Sequence, residues 1–203
     1  MIEQTPKKYK KPELVSPAGS LDKLKTAIEY GADAVYAGGK DFSLRNSAAN
    51  FTLDEIGSAV EYVHERGKKL YLTLNIFAHN CHTSKMEPYL KELAKYPIDA
   101  VIIADPGVLS LVREIIPDTA CHISTQANCT NTRAADFWHS QGVKRVVLAR
   151  ELSLNEVSEI SVNSDCSTEV FVQGAMCLSY SGRCYLSSYM ANRGANLGDC
   201  AQS

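Results

Sequence analysis

Seven short runs rich in Val, Ile, Leu and Tyr alternate with amphipathic segments along nearly the whole chain. Most of these runs are apolar almost without interruption, as is typical of parallel strands buried on both faces of a sheet. The alternation therefore predicts successive βα units. The predicted strands are Leu14–Pro17, Ala34–Ala37, Lys69–Leu74, Ala100–Ala104, Ala120–Ser124, Arg145–Ala149 and Glu169–Val172.

Helix start and stop signals lie between these runs. Ser20 is a predicted N-cap for a helix that ends at Gly31. Thr52 begins the next helix, with Glu55 at the capping-box position and Gly67 as the stop. Further helices are predicted at Ser84–Lys95, Gly107–Ile116, Thr130–Gln141 and Ser153–Ile160.

Seven consecutive βα units predict an α/β fold of the TIM-like (β/α)₈ barrel class that is incomplete by one unit. A doubly wound open sheet is the alternative. We divide the chain into an N-terminal extension at 1–12, the barrel units at 13–174 and a cysteine-rich segment at 175–203. The eighth strand is expected beyond the end of this sequence.

Composition excludes several classes of protein. No apolar run approaches the roughly 18 residues that a membrane span needs. The charged N-terminus lacks the apolar core of a secretory signal, so we expect a cytoplasmic protein. The seven cysteines are odd in number, which argues against a disulfide framework. The net charge of −2 gives no overall attraction for nucleic acid.

Polar residues recur where the predicted strands end, which is where barrel enzymes place their chemistry. Asn75, Asp105, Gln126 and Arg150 are therefore candidates to line a pocket. Arg45 and Arg150 are candidates to hold an anion, because guanidinium groups match carboxylates and phosphates. Plainer interpretations stay open, namely a helix N-cap for Asp105, structural hydrogen bonds for the two amides and surface ion pairs for the arginines.

Three cysteines near the C-terminus, Cys177, Cys184 and Cys200, lie among glycines and arginines. Thiolates are soft ligands that select zinc, copper(I) or iron–sulfur clusters, and a cubane cluster needs four of them. The triad therefore predicts a metal site that lacks one ligand. We interpret Cys121 as a small buried hydrophobic residue. Cys81, Cys129 and Cys166 have no partner at ligand spacing, and the His79–His82 run is interpreted as a polar loop rather than a zinc site.

Several segments resemble the collagenase-like peptidases of unassigned mechanism, the U32 family. The resemblance covers essentially the whole chain and is most specific in its last part. The matching segments are PELVSPAGSLDKLKTAIEYGADAVYAGGKDFSLR, LTLNIFAHN, VIIADPGVL, HISTQANCTN, RVVLARELS and EVFVQGAMCLSYSGRCYLSSYMANRGANLGDCAQS.

The resemblance implies a TIM-like barrel and a 4Fe-4S cluster held by four cysteines. Three of these correspond to Cys177, Cys184 and Cys200, and the fourth is expected beyond Ser203, so the chain is similar to the N-terminal part of a longer protein. Family members hydroxylate a wobble uridine of tRNA in a prephenate-dependent reaction, or a cytidine of ribosomal RNA, and others act in ubiquinone hydroxylation. The segments GGKDFSLR, NIFAHN and STQ are most similar to the tRNA branch, which implies tRNA as the partner.

Two other functions remain open at this point. The family's peptidase name requires an activated nucleophile, for which Cys177 with His79 or His122 is the candidate pair. The chain is alternatively a non-catalytic partner subunit. An incomplete barrel leaves unpaired edges at the first and seventh strands, so we also expect dimerisation through these edges.

Overall fold

A computed structural model describes residues 11–44, 50–174, 177 and 179–201. Its seven strands form one parallel sheet in sequence order, which confirms the predicted incomplete barrel. Sequential order distinguishes a barrel from a doubly wound sheet, in which the order reverses. The strands are β1 (Val15–Ala18), β2 (Ala34–Gly38), β3 (Lys69–Leu74), β4 (Ala100–Ile103), β5 (Ala120–Ile123), β6 (Arg145–Val147) and β7 (Ser167–Glu169).

An α-helix follows each of the first six strands. The predicted caps are confirmed, because the side chain of Ser20 accepts from the amide of Lys23 and Thr52 forms a capping box with Glu55. A seventh helix lies within the cysteine-rich segment. The helices are α1 (Leu21–Glu29), α2 (Leu53–His64), α3 (Asn80–Leu93), α4 (Pro106–Ile115), α5 (Thr132–Ser140), α6 (Leu154–Asn163) and α7 (Leu186–Ala191).

The core has two parts because successive strand side chains point to opposite faces. The larger part lies between the sheet and the helices and includes Leu24, Leu72 and Leu90, all fully buried. The smaller part fills the concave interior and includes Tyr71 and Ile102. Burial on both faces is the physical reason why the strands read as continuous apolar runs.

The seventh strand lies two residues earlier than the sequence predicts. Ser167–Glu169 pairs with β6, whereas the apolar residues Val170, Phe171 and Val172 follow the strand and are exposed. The side chain of Glu169 turns inward to Arg145, at 3.1 Å between Oε2 and Nη1. The ion pair between Glu169 and Arg145 therefore helps to fix the position of this strand. The sequence prediction was wrong because it followed the apolar residues that come directly after the strand.

The third helix begins at Asn80, so the predicted polar loop at His79–His82 is wrong. His79 is the N-cap, and its backbone amide donates to Nδ1 of His82 at 3.0 Å. Thr83 and Ser84 donate their hydroxyls to the carbonyl of Asn80. Polar side chains thus form hydrogen bonds with the backbone of the first turn. Because these residues are polar, the first turn resembles a loop in the sequence. The remaining predicted boundaries differ from the observed ones by a few residues at most.

Within the described residues, β1 and β7 each pair on one side only, as the sequence predicts. Dimerisation through these edges stays a prediction. No helix in the described part of the chain has the length and apolar character needed to cross a membrane.

Candidate functional site at the carboxyl end of the sheet

An open cleft lies where the central strands end. It encloses about 340 Å³, including the solvent at its mouth. Three of the four predicted pocket residues line it, Asn75 after β3, Asp105 after β4 and Gln126 after β5. Since all strands are parallel, their carboxyl ends meet at one edge, and the sequence prediction of a shared pocket agrees with the structure on these three. The other lining residues are Leu44, Ile76, Phe77, Ala104, Arg183 and Asn196.

A buried amide organises the floor of the cleft. Asn75 accepts from the amide of Leu44 at 3.2 Å and donates through Nδ2 to Oγ of Ser124 at 3.2 Å. The same Nδ2 group lies 3.5 Å from Oε1 of Gln126. This long contact turns the oxygen of the Gln126 amide toward Asn75 and leaves its NH₂ group for other partners. Asn75 therefore has the structural role that the sequence left open, and it also orients a cleft side chain.

Asp105 combines the two roles that the sequence left open. Its Oδ1 accepts from the amides of Gly107 at 2.8 Å and Val108 at 3.1 Å, so it is the N-cap of α4. The cap holds the side chain at the rim of the cleft, and the second carboxylate oxygen remains to accept a further hydrogen bond.

The cysteine-rich segment crosses over the carboxyl ends of the strands. The carbonyl of Asn196 accepts from the amide of Phe77 at 3.0 Å. The side-chain oxygen of Asn196 accepts from the amide of Cys184 at 3.1 Å. A tight turn places Gly182 against Gln126, and its φ of +81° favours glycine at this position. The segment thereby forms one wall of the cleft.

Two residues after β6 fasten the segment to the barrel. Glu151 accepts from both the amide and the hydroxyl of Ser181 at 2.6 Å each. Burial raises the pKa of Glu151, but these hydrogen bonds outweigh it and hold the pKa below its ordinary value. Arg150 donates from Nη2 to the carbonyl of Ser179 at 3.0 Å. Arg150 is thus not among the residues that line the cleft. The second anion candidate, Arg45, lies outside the described residues.

Each of the three predicted metal ligands has a hydrogen-bond partner at sulfur. Sγ of Cys177 lies 2.8 Å from Oγ of Ser179, Sγ of Cys184 accepts from the amide of Leu186 at 3.3 Å, and Sγ of Cys200 accepts from Oγ of Ser187 at 3.8 Å. Hydrogen bonds of this kind stabilise thiolate ligands and tune the clusters that they bind.

The local environment also favours the thiolate form of Cys177. The hydroxyl of Ser179 and, more weakly, the guanidinium of Arg150 hold the pKa of this thiol below its ordinary value, although partial burial opposes them. The donor chemistry thus fits a thiolate-bound metal. Within the described residues, however, no three His, Cys, Asp or Glu side chains are arranged to hold a metal ion. The ligand roles of Cys177, Cys184 and Cys200 stay a prediction.

The remaining cysteines are of a different kind, as the sequence indicated. Cys121, Cys129 and Cys166 are buried in the layer between sheet and helices, and Cys81 is exposed on α3. Burial raises the pKa of both Cys121 and Cys166 to about 11, which leaves them inert at neutral pH.

The predicted cysteine–histidine pair has no support in the geometry. His122 lies in the sheet interior with its ring 4.8 Å from that of Tyr71, and burial, helped by Arg145, lowers its pKa to about 3. Among the described residues, the hydrogen-bond partners of the Cys177 sulfur are Ser179 and Arg150, and no histidine is one of them.

Sequence reasoning did not place six of the lining residues, and three of these carry aromatic or polar side chains, namely Phe77, Arg183 and Asn196. Phe77 follows a strand by three residues and is 45 % exposed. Arg183 and Asn196 lie in the cysteine-rich segment, far from any strand end. The one signal in the sequence for Phe77 was an aromatic residue directly after the end of a predicted strand. The other two depend on how the segment folds back over the barrel.

The fold and this cleft define a parallel α/β half-barrel protein whose candidate ligand site lies at the carboxyl ends of the strands. Residues 19–203 match the family described as peptidase family U32. The chain belongs to this family, as its motifs indicated.

Relatives and a solved structure agree with this assignment. The chain is 47 % identical over 194 residues to tRNA hydroxylation protein P1 of Bacillus subtilis, covering 96 % of this chain and 46 % of the relative. It is 48 % identical over 191 residues to tRNA hydroxylation protein P of Helicobacter pylori, covering 93 % and 45 %. The chain thus spans about half the length of these curated relatives. A solved U32 peptidase, Mk0906, shares the fold with a TM-score of 0.66 at 18 % identity, covering 83 % of this chain and 72 % of that one.

Proposed function

We propose that the protein takes part in the prephenate-dependent hydroxylation of a wobble uridine of tRNA. The observation that carries this proposal is the 47 % identity to a tRNA hydroxylation protein over 96 % of the chain. The cleft supports it, since its position at the carboxyl ends of parallel strands is where this fold class performs chemistry.

The proposed cofactor is a 4Fe-4S cluster with Cys177, Cys184 and Cys200 as three of its ligands. Such a cluster supplies single-electron transfer or a Lewis-acidic iron. The hydrogen bonds from Ser179, Leu186 and Ser187 to the three sulfur atoms support thiolate ligation.

The protein's own residues bind and orient the substrate. Asn75 holds the Gln126 amide in one orientation, and α4 holds the Asp105 carboxylate at the rim. The segment that carries the cysteines forms the opposite wall, so a base in the cleft lies under the cysteine-rich segment and is screened from water on that side. Arg45 remains the predicted ligand for the prephenate carboxylates, because Arg150 is engaged by Ser179 and Cys177.

Expression of the complete gene in a host whose own tRNA hydroxylation gene is deleted tests the proposal. We expect mass spectrometry of digested tRNA to show the hydroxylated uridine with the wild-type protein. Cys177→Ala is expected to abolish the modification, whereas Cys81→Ala, which removes an exposed thiol of α3, is expected to retain it. Unmodified tRNA from a soluble wild-type protein would overturn the proposal.

The family name keeps peptidase activity as the second candidate. A cysteine peptidase loses its activity when its nucleophile is alkylated, whereas a cluster protein loses its visible absorbance and its iron. Hydrolysis of a denatured protein substrate that stops on alkylation of one cysteine would favour the peptidase.

A further inference from the structure

We propose that Asn196 is a positioning residue that couples the proposed cluster ligand Cys184 to the cleft, so that a cluster on the cysteines holds the cleft wall in place. The inference rests on the proposed function, since it takes the cysteines as ligands. It deepens that function by naming the contact through which the ligands act on the cleft. The argument starts from the hydrogen bonds that this one residue makes in two directions.

Asn196 lies in a tight turn between two of the proposed ligands. A single turn of 3₁₀ helix spans Ala195–Leu197, and the amide of Asp199 donates back to the carbonyl of Gly194 at 3.0 Å. An ion pair closes the base of the turn, because Nε and Nη2 of Arg193 both donate to Oδ1 of Asp199, at 2.8 Å and 2.6 Å. The turn is thus a compact unit that holds Asn196 in one position.

Two hydrogen bonds of Asn196 reach different parts of the protein. Its side-chain oxygen accepts from the backbone amide of Cys184 at 3.1 Å, on the side of the ligands. Its backbone carbonyl accepts from the amide of Phe77 at 3.0 Å, in the connection that follows β3. Asn196 and Phe77 both line the cleft. One residue therefore joins the backbone of a proposed ligand to the part of the cleft that the barrel provides.

Ligation at the cysteines acts on the cleft through these bonds. A cysteine that is bound to a metal loses much of its freedom to move, and the groups that are hydrogen-bonded to its backbone are restrained with it. Fixing Cys184 and Cys200 restrains the stretch between them, so the bond between Asn196 and Phe77 opens less often. Because coupling between two sites is reciprocal, an ordered cleft wall also helps to retain the metal.

Two substitutions at this position distinguish the hydrogen bond from a general packing role. Asn196→Ala removes the oxygen that accepts from the Cys184 amide. Asn196→Asp keeps an acceptor oxygen of the same reach, so it is expected to preserve the coupling. Asn163→Ala is the matched control, because it removes an exposed asparagine that donates to a backbone carbonyl of α6.

The test measures hydrogen–deuterium exchange of the full-length protein by mass spectrometry, metal-free and after anaerobic reconstitution with iron and sulfide. The peptide that contains Phe77 reports on its bond to Asn196. We expect reconstitution to slow exchange of this peptide about fivefold in wild type, Asn196→Asp and Asn163→Ala, and to leave it fast in Asn196→Ala. A chelator is expected to extract iron about fivefold faster from Asn196→Ala than from the other three proteins.

Wild-type exchange at Phe77 that does not change on reconstitution would overturn the inference, as would a protein that takes up no iron. An Asn196→Ala protein that responds like wild type, or an Asn196→Asp protein that responds like Asn196→Ala, would overturn it too. The wild-type comparison needs no variant, so it decides the inference even where circular dichroism shows that a variant is unfolded. In each of these cases hydroxylated tRNA in the host assay still supports the proposed function, so the two failures are distinguishable.

Discussion

Arg145 and Glu13 are 132 positions apart and share a hydrogen bond of 2.8 Å in the interior of the half-barrel. Glu13 precedes β1, and Arg145 begins β6. The same Nη1 atom of Arg145 lies 3.1 Å from Glu169 at the end of β7. Tyr71 and Lys69 complete the cluster by donating to Glu13 at 2.7 Å and 3.1 Å. One guanidinium thus links the two edges of the sheet across its concave face.

The first prediction concerns this link. Arg145→Met is expected to lower the free energy of unfolding by about 3 kcal/mol, because it removes the guanidinium that both largely buried carboxylates, Glu13 and Glu169, contact. Lys69→Met removes a half-exposed partner of the same Glu13 and is expected to cost less than about 1 kcal/mol. Urea denaturation measures both. Equal losses in the two variants would contradict the central role of Arg145.

The second prediction concerns the loss of folding stability at acidic pH. Burial raises the pKa of Glu13, but hydrogen bonds from Arg145, Tyr71 and Lys69 outweigh it and lower the pKa to about 2 from an ordinary 4.5. The unfolded chain therefore binds more protons than the folded protein between pH 4.5 and 2, so Glu13 makes stability fall as pH falls through this window. We expect the urea midpoint to drop less between pH 5 and pH 3 in Glu13→Gln than in wild type.

Glu169 acts in the opposite sense, because burial raises its pKa despite Arg145. The charge of Glu13 is one of the causes of this increase, so Glu13→Gln also reduces the contribution of Glu169. The difference between the two proteins is therefore a lower limit for the contribution of Glu13. Parallel pH profiles for the two would show that the depressed pKa has no consequence for stability.

The third prediction concerns thiol reactivity in the metal-free protein. Cys177 is exposed and its pKa is lowered by the Ser179 hydroxyl, whereas burial protects Cys121 and Cys166 and raises the pKa of each to about 11. Iodoacetamide at pH 7 is expected to label Cys177 well before the other two, as measured by peptide mass spectrometry. Ser179→Ala is expected to slow this labelling. Simultaneous labelling of all three would indicate global unfolding instead.

The fourth prediction concerns the attachment of the cysteine-rich segment. Ser181→Ala removes the hydroxyl bond to Glu151, one of the two that hold the turn before Arg183. Trypsin is expected to cleave after Arg183 several-fold faster in this variant, with little change in global stability. Ser188→Ala is the control, since its hydroxyl bonds to Arg193 within the segment itself. Equal cleavage rates in the variant and the control would contradict the role of the Ser181 hydroxyl in holding the segment to the barrel.

The sequence predicted the fold where its signals were local. β3 lies where the sequence placed it, because Lys69–Leu74 is a mostly apolar run with clear ends. The start of α3 was missed because His79 is an unusual N-cap. β7 was misplaced because its position depends on Glu169 meeting a residue of another strand. Errors thus arose where tertiary contacts override a local pattern.

The same distinction applies to the cleft. Asn75, Asp105 and Gln126 were predicted because strand periodicity alone brings parallel strand ends together. Arg150 followed the same rule, yet its side chain turns to Ser179 instead of the cleft. Arg183 and Asn196 were not predicted as lining residues, because they reach the cleft only where the chain folds back over the barrel. No spacing of residues in the sequence indicates this fold-back.

The sequential order of the strands has a consequence for how the protein assembles as it is synthesised. Each strand pairs with the one made just before it, so the sheet is able to grow unit by unit as the chain leaves the ribosome. Each pairing joins two strands that are separated by a single helix, so it needs only one βα unit to close. The bond from Glu13 to Arg145 departs from this order, because it forms only after the sixth strand has begun to emerge. This bond therefore forms late in folding, after the preceding βα units have assembled.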